Sequence, residues 1–241
     1  MRAVSSYMVA IRSLLFIYPF TLLISAVAIV FSFFDRGGFM IHRVCTRTWA
    51  RTVLRIAGIR VFIRGLEILS GETGPFVVVM NHQSQLDIPL IIFALPLQLR
   101  LVGKVELSRI PIFGQAAKRM GHFFIDRKDH AVATAAFTMA GDMMTRTGVS
   151  VVIAPEGTRS PDGKLLPFKK GAFVLAIQAG LPVLPVTVRG TRDAMPKAGS
   201  TSWGGVAEVI IDKPVATSQM TYNDRDRLLE EVKGIIVRNL P

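Results

Sequence analysis

Two side chains near the middle of the sequence could together move a proton. His82 ionises in the range needed to accept a proton near neutral pH, and Asp87, five residues later, can accept a hydrogen bond from the other ring nitrogen. A loop histidine beside a helix-capping aspartate would show the same spacing, so the spacing alone proves little. The pair is therefore a candidate general base whose meaning depends on its surroundings.

Ser84 lies close to this pair and raises the question of a serine nucleophile. The strand-to-helix motif Gly-x-Ser-x-Gly that exposes such a serine is absent from the sequence. We therefore expect Ser84 to stabilise the loop. The base would then act on a hydroxyl of the substrate itself, which predicts group transfer to an alcohol.

A second set of residues is suited to an anion. Glu156, Gly157, Thr158 and Arg159 combine a residue that lets the backbone approach a ligand with a planar guanidinium. Arg127 is a further candidate for phosphate contact. Lys169 and Lys170 precede a predicted helix and could also bind an anion at its N-terminus, although a solvated surface charge remains an equal alternative for both lysines.

The elements that must position these residues follow an alternating pattern after Gly65. Short β-branched runs alternate with amphipathic stretches, which predicts an α/β domain with a mixed, mostly parallel sheet flanked by helices. Catalytic groups in such domains gather where strands end. The predicted strands are Val61–Ile63, Phe76–Met80, Arg100–Val102, His122–Ile125, Ser150–Ile153, Val183–Val188 and Ala207–Ile211.

The predicted helices are Asp87–Ala94, Ile112–Arg119, His130–Thr145, Lys170–Ala179 and Asn223–Asn239. The stretch Thr191–Gly205, which is rich in Gly, Ser and Thr, is expected to be a surface loop.

The first 60 residues have a different character from residues 61–241, the predicted catalytic domain. Ser13–Phe34 carries no charge, which predicts a membrane-associated helix that Pro19 would kink. It could cross the bilayer or lie in one leaflet. A signal peptide with a cleavage site near Ala28 is less consistent, because the apolar run continues to Phe34.

Arginines recur at every fourth residue after this run, with apolar residues on the opposite side. This predicts a basic amphipathic helix whose apolar side enters lipid, or alternatively a surface helix packed on the domain. The arginines are Arg43, Arg47, Arg51 and Arg55, and the apolar residues are Ile41, Cys45, Trp49, Val53 and Ile56.

The composition agrees with a lipid-facing protein. Half of the 241 residues are hydrophobic, and 29 Lys and Arg against 17 Asp and Glu give a net charge of +12. Anionic partners are expected, namely lipid headgroups, phosphorylated molecules or nucleic acid. Nucleic acid is disfavoured because aromatic and basic residues do not alternate. Cys45 is the only cysteine, which excludes an intrachain disulfide and favours a domain that faces the cytoplasm.

Four short blocks resemble, in order, the motifs of the glycerolipid acyltransferase family. Together they extend over a little under half of the chain, and four ordered blocks are a strong signal. They are Asn81–Ser84 with Asp87, Gly121–Arg127, Glu156–Arg159 and Leu181–Val186.

The resemblance implies transfer of a fatty acyl group from acyl-CoA or acyl-carrier protein to the free hydroxyl of lysophosphatidic acid, which gives phosphatidic acid. It implies that His82 is the base, that Asp87 orients it, and that Glu156–Arg159 with Arg127 bind the acceptor's phosphate. Lys104 would bind substrate or stabilise the oxyanion. His122 stands where the family commonly has a small residue, and we expect it to pack or cap. No metal or cofactor is implied, and the expected location is the inner or cytoplasmic membrane.

Two alternatives remain at this stage. The acceptor could be another lysolipid, such as a lyso-ornithine lipid, because Arg127 and Arg159 also suit a carboxylate. A non-catalytic basic membrane-binding protein would explain the charge but gives His82 no role.

Overall fold

Seven strands form one sheet at the centre of the computed structural model, which describes residues 13–35, 37–71, 74–126, 130–195 and 204–241. The order across the sheet is β1-β7-β6-β2-β5-β3-β4, and every neighbouring pair is parallel except β6 and β7. The predicted mixed, mostly parallel sheet is confirmed. The strands are β1 Ile59–Arg64, β2 Val77–Met80, β3 Leu99–Lys104, β4 Phe123–Ile125, β5 Ser150–Ile153, β6 Val183–Arg189 and β7 Gly205–Ile211.

The central strands are buried on both faces. Every residue of β2 and of β5 is buried, as expected for parallel strands with helices on each side. The helices are α1 Tyr18–Phe31, α2 Phe39–Ile41, α3 Arg47–Ile56, α4 Asp87–Ala94, α5 Phe113–Arg119, α6 His130–Thr147, α7 Gly171–Ala179, α8 Thr191–Ala194 and α9 Arg225–Asn239. Helices α3 and α4 cover one face of the sheet, whereas α6, α7 and α9 cover the other.

The N-terminal apolar run begins with a π-helical turn, Ser13–Ile17, and continues as α1. Pro19, which we expected to kink this helix, lies near the start of α1, directly after the π-helical turn. Within the described ranges, no helix is both long enough and apolar enough to span a membrane.

Helix α3 carries Arg47, Arg51 and Arg55 of the predicted basic stripe, and Arg43 lies in the π-helical turn His42–Thr46 directly before it. Its buried residues Ala50, Val53 and Leu54 belong to the same apolar core as β2 and α4. The prediction that this apolar side enters lipid is therefore wrong, and the surface-helix alternative describes it correctly. Lipid contact would have to come from other residues of the N-terminal segment.

The stretch after β6 differs from the predicted surface loop. Residues Thr191–Ala194 form the short helix α8, in which Thr191 and Ala194 are buried. Thr191 is held inside because its hydroxyl donates to Asp87. The sequence offered no signal for this contact, since the two residues are 104 positions apart.

Candidate active site

Three loops meet at the carboxyl ends of neighbouring strands. One follows β2 and carries His82, one follows β5 and carries Glu156, and α8 follows β6. A backbone hydrogen bond from Ser160 N–H to the carbonyl of His82, 2.8 Å long, joins the first two loops directly. The candidate residues of blocks 81–87 and 156–159 therefore share one site, as the strand-end argument predicted.

Asp87 is the centre of this site and is fully buried. Its Oδ2 accepts from His82 Nδ1 at 2.8 Å and from the backbone N–H groups of Gln83 and Ser84 at 2.7 and 2.8 Å. Its Oδ1 accepts from the hydroxyl of Thr191. Four donors thus compensate the carboxylate for its loss of water and fix it in place.

This arrangement determines the protonation pattern of His82. An ionised carboxylate only accepts, so the proton of the neutral ring lies on Nδ1 and Nε2 keeps a free lone pair. The side chain is 18% exposed and faces a cavity. His82 can therefore accept a proton from a molecule that enters this cavity.

Two neighbouring polar residues hold the loop and do no chemistry. The carboxamide of Asn81 pairs with both the N–H and the carbonyl of Val188, at 2.7 and 2.9 Å, and so attaches the loop to β6. The hydroxyl of Ser84 donates to the Met195 carbonyl at 2.7 Å and accepts from Leu86 N–H. Ser84 is completely buried, which confirms that it stabilises the loop.

Glu156 lies behind His82 rather than in the ligand space. Its carboxylate accepts from the backbone N–H of His82 at 2.6 Å and from that of Leu166 at 2.8 Å. Burial raises its pKa above the usual range, although both hydrogen bonds act to lower it. The expectation that Glu156 contacts the acceptor's phosphate needs correction, because a carboxylate engaged by two backbone groups serves to position the histidine loop.

The remaining residues of this block stand at the opening of the cavity. Thr158 is exposed and Arg159 is half-buried, and both line the cavity together with His82. Gly157 has a φ of +70° and lies against the side chain of Lys169, where a Cβ would approach Lys169 Cε to 3.2 Å. The turn therefore needs glycine at this position. Lys170 instead forms a surface ion pair with Asp226 at 2.8 Å.

Lys104 and Arg127 complete the candidate set. Lys104, the last residue of β3, lines the cavity opening and makes an exposed ion pair with Glu106 at 2.7 Å. An exposed pair of this kind is weak, so it leaves the ammonium group able to meet a ligand. Arg127 lies outside the described residues.

An apolar cavity of about 600 Å³ begins at His82, Lys104 and Arg159. It extends between the sheet and the N-terminal helices and thus combines elements from both parts of the chain. Much of its wall consists of apolar side chains, among them Ile24, Ala28, Trp49, Ile92, Leu101 and Phe113. The sequence did not reveal this cavity, because its walls come from α1, α3, α4, α5 and β3.

The described part of the chain contains no group of three or more His, Cys, Asp or Glu side chains that could hold an ion. The residues that line the cavity can offer proton transfer at His82, electrostatic contact from Arg159 and Lys104, and apolar binding.

Known proteins with related sequences share this region. A model of the acyltransferase family matches residues 60–189, which include both His82 and Arg159. The chain is 33% identical over 208 residues to human 1-acyl-sn-glycerol-3-phosphate acyltransferase beta, covering 86% of this chain and 74% of that protein. The chain belongs to the acyltransferase family.

Two further matches extend this result. The chloroplastic 1-acyl-sn-glycerol-3-phosphate acyltransferase BAT2 of Brassica napus is 35% identical over 86% of this chain, which spans only 58% of that relative's length. The crystal structure of the 1-acyl-sn-glycerophosphate acyltransferase PlsC from Thermotoga maritima matches with a TM-score of 0.82 and 26% identity. That match covers 99% of this chain and 96% of the other. The fold is therefore shared across nearly the whole chain.

Proposed function

We propose that this protein transfers a fatty acyl group from a thioester, acyl-CoA or acyl-carrier protein, to the free hydroxyl of lysophosphatidic acid, giving phosphatidic acid. The observation that carries the proposal is the His82 Nδ1 to Asp87 Oδ2 hydrogen bond at the opening of an apolar cavity. Relatives named for this reaction support the choice of substrates.

The proposed reaction needs one proton relay. His82 Nε2 takes the proton from the acceptor's hydroxyl group, while the oxygen of that hydroxyl forms a bond to the thioester carbonyl carbon. Lys104 stabilises the negative charge that develops on the carbonyl oxygen. The carbon–sulfur bond then breaks, and the leaving thiolate takes the proton from His82. Asp87 keeps the ring oriented through both transfers, and no metal or cofactor takes part.

The phosphate of the acceptor and the acyl chain of the donor need different binding surfaces. Arg159, with Gly157, Thr158 and Arg127, would bind the acceptor's phosphate, since a guanidinium pairs well with phosphate oxygens. The acyl chain would occupy the apolar cavity, which excludes water from the thioester. An acceptor panel that includes a lyso-ornithine lipid tests this assignment. A strong preference for an acceptor without phosphate would contradict it.

The deciding experiment measures free thiol released from palmitoyl-CoA with lysophosphatidic acid present. The variant His82→Asn is the sharpest choice, because the Asn amide can take the place of Nδ1–H against Asp87 but cannot accept a proton. We expect turnover to fall by roughly a hundredfold or more. If the variant has the same melting temperature as the wild type and near-normal turnover, His82 is not the general base. Absence of thiol release from the wild type with palmitoyl-CoA and with palmitoyl-acyl-carrier protein alike would favour a non-catalytic membrane-binding protein.

Membrane association belongs to the same proposal, because both lipids reside there. Several apolar side chains on and after α1 face solvent, including Leu23 at 61%, Phe33 at 66% and Phe34 at 84% exposure. We assign this surface, next to Arg119, whose guanidinium lies 4.7 Å from the centre of the Phe33 ring, to an anionic leaflet on the cytoplasmic side. Sedimentation with phosphatidylglycerol vesicles tests it. Phe33→Ser/Phe34→Ser should release the protein, whereas Met139→Ser, on α6 and 65% exposed, should not.

A further inference from the structure

His122 lies in the wall of the apolar cavity, directly before β4. Its Nδ1 accepts the backbone N–H of Leu101 in β3 at 3.1 Å. This bond confirms that the residue caps a strand group, as we expected from the sequence. It leaves the opposite edge of the ring available to the cavity, which nothing in the proposed reaction uses.

The hydrogen bond also determines where the ring proton lies. An N–H can only donate, so Nδ1 is unprotonated and the neutral ring carries its proton on Nε2. Burial, with help from Arg100 and His42, lowers the pKa of His122 to about 3. At neutral pH the cavity wall therefore presents an uncharged N–H donor.

This donor has no acceptor among the described residues. Within the described ranges, the only hydrogen bond of the His122 ring is the one from Leu101 N–H. The neighbouring cavity wall includes the apolar side chains of Leu101, Met120 and Phe123. An isolated donor in an apolar cavity is unfavourable for any ligand that covers it without accepting its hydrogen bond. The ring should therefore discriminate between acyl chains.

Strand pairing gives the depth of His122 below the reacting centre. Because Phe123 pairs with Val102, His122 lies level with Leu101, which pairs through Val152 with Val78. His82 follows Val78 by four residues, or about 13 Å along the strand direction, and β2 is three strand spacings from β4, or about 14 Å across the sheet. The two offsets together give roughly 19 Å, and an extended hydrocarbon advances about 1.25 Å per carbon, so His122 meets roughly the fifteenth carbon.

We infer that His122 is a specificity-determining residue whose Nε2–H favours acyl chains carrying a hydroxyl or keto oxygen about fifteen carbons from the thioester. The inference rests on the proposed use of the cavity by the acyl chain. A methylene group at this depth displaces water from the N–H but cannot accept its hydrogen bond, whereas a hydroxyl oxygen can. The expected preference is roughly tenfold in kcat/KM.

The test compares three donors with lysophosphatidic acid as acceptor: stearoyl-CoA, 15-hydroxystearoyl-CoA and 3-hydroxystearoyl-CoA. The wild-type protein should prefer the 15-hydroxy donor over the other two by about tenfold. A preference within twofold, or equal use of both hydroxylated donors, would overturn the inference without any variant. Because all donors share the thioester, a general failure to transfer would instead count against the proposed function.

Two variants connect the preference to the ring. His122→Asn can still accept from Leu101 N–H but is too short to place a donor where Nε2 stands, and His122→Leu removes both groups. Both should bring the ratio of 15-hydroxystearoyl to stearoyl transfer to within about twofold of unity. A ratio that stays at the wild-type value in folded His122→Asn would show that another group selects the chain.

Discussion

Asp87 and Arg100 are both buried charged side chains, but the two regions around them are built differently. Asp87 accepts four hydrogen bonds at the carboxyl ends of the strands. Arg100, 1% exposed beneath the N-terminal helices, donates to the carbonyls of Leu99 and Gly37, and burial lowers its pKa to about 10. Its neighbours His42 and His122 each leave one ring nitrogen without a hydrogen-bond partner among the described residues.

The comparison separates a region whose polar groups are all paired within the protein from one in which ring nitrogens remain available to a ligand. Around Asp87 the donors and acceptors match, so the imidazole of His82, the proposed base, is held in one orientation. Around Arg100, the Nδ1 of His42 is buried without a partner, and the Nε2 of His122 faces the cavity. The first region suits catalysis by orientation, whereas the second suits selection of what enters.

The largest expected effect comes from removing the charge of Asp87 while keeping its shape. In Asp87→Asn the amide oxygen can accept the three N–H groups and the amide nitrogen can donate to Thr191. We expect turnover to fall by roughly a thousandfold, because the ring loses the anion that stabilises its protonated form. Steady-state thiol release measures this.

Thr191→Val is the matched control, since it removes one hydrogen bond and leaves the charge. It should lower turnover by about tenfold or less. Equal losses in the two variants would mean that the complete hydrogen-bonding shell matters more than the charge, and the contrast between the regions would need to be restated in those terms.

Glu156→Gln tests the second support of the base. One of the two carboxylate oxygens becomes an NH₂ group facing a backbone N–H, either that of His82 or that of Leu166. We expect a loss of about 1–3 kcal/mol in unfolding free energy and a fall in turnover of about tenfold. Urea unfolding and thiol release on the same preparation separate the two effects. Unchanged stability with a raised KM for lysophosphatidic acid would return Glu156 to the ligand-binding surface.

Sequence reasoning described one region much better than the other. All seven strands were predicted because short β-branched runs alternate with helices, and the His82–Asp87 pair is local in sequence. The Thr191 contact and the pairing of Asn81 with Val188 join residues more than a hundred positions apart. Such contacts depend on strand order, which hydrophobic periodicity does not encode.

The prediction that the apolar side of the N-terminal basic helix enters lipid was wrong for a related reason. An amphipathic helix has the same pattern whether its apolar side meets lipid or the protein core, so the burial of Val53 and Leu54 could not be read from spacing. The cavity wall likewise combines residues of α1 and β3, which lie far apart in the sequence. The one signal in the sequence for this wall was His122, which stands where the family commonly has a small residue.

The histidines beside Arg100, His42 and His122, should make the free energy of unfolding fall at acidic pH. Burial and the nearby cations lower the pKa of His42 to about 4 and that of His122 to about 3, both below the unfolded value of 6.5. The unfolded chain therefore binds more protons, and stability falls as the pH drops below 6.5. Each histidine should account for about 2 kcal/mol between pH 7 and pH 5.

Urea unfolding of wild type and His42→Gln at pH 7 and pH 5 measures this. The hydrogen bond from His42 Nε2 to the Leu97 carbonyl, 3.0 Å, can be kept by the Gln amide. The variant should lose about 2 kcal/mol less than wild type over this interval. An identical pH dependence would show that His42 is hydrated and titrates normally.

The smallest expected effect concerns the contact that fixes α1 over the cavity. Trp49 Nε1–H donates to the Thr21 hydroxyl at 2.9 Å and joins α3 to α1. Trp49→Phe removes this donor and should lower the unfolding free energy by about 1 kcal/mol, or the melting temperature by about 2–4 °C. Thr21→Val removes the acceptor together with its bond to the Ile17 carbonyl. The double variant isolates the shared bond, and a coupling energy near zero would mean that apolar packing alone holds α1 in place.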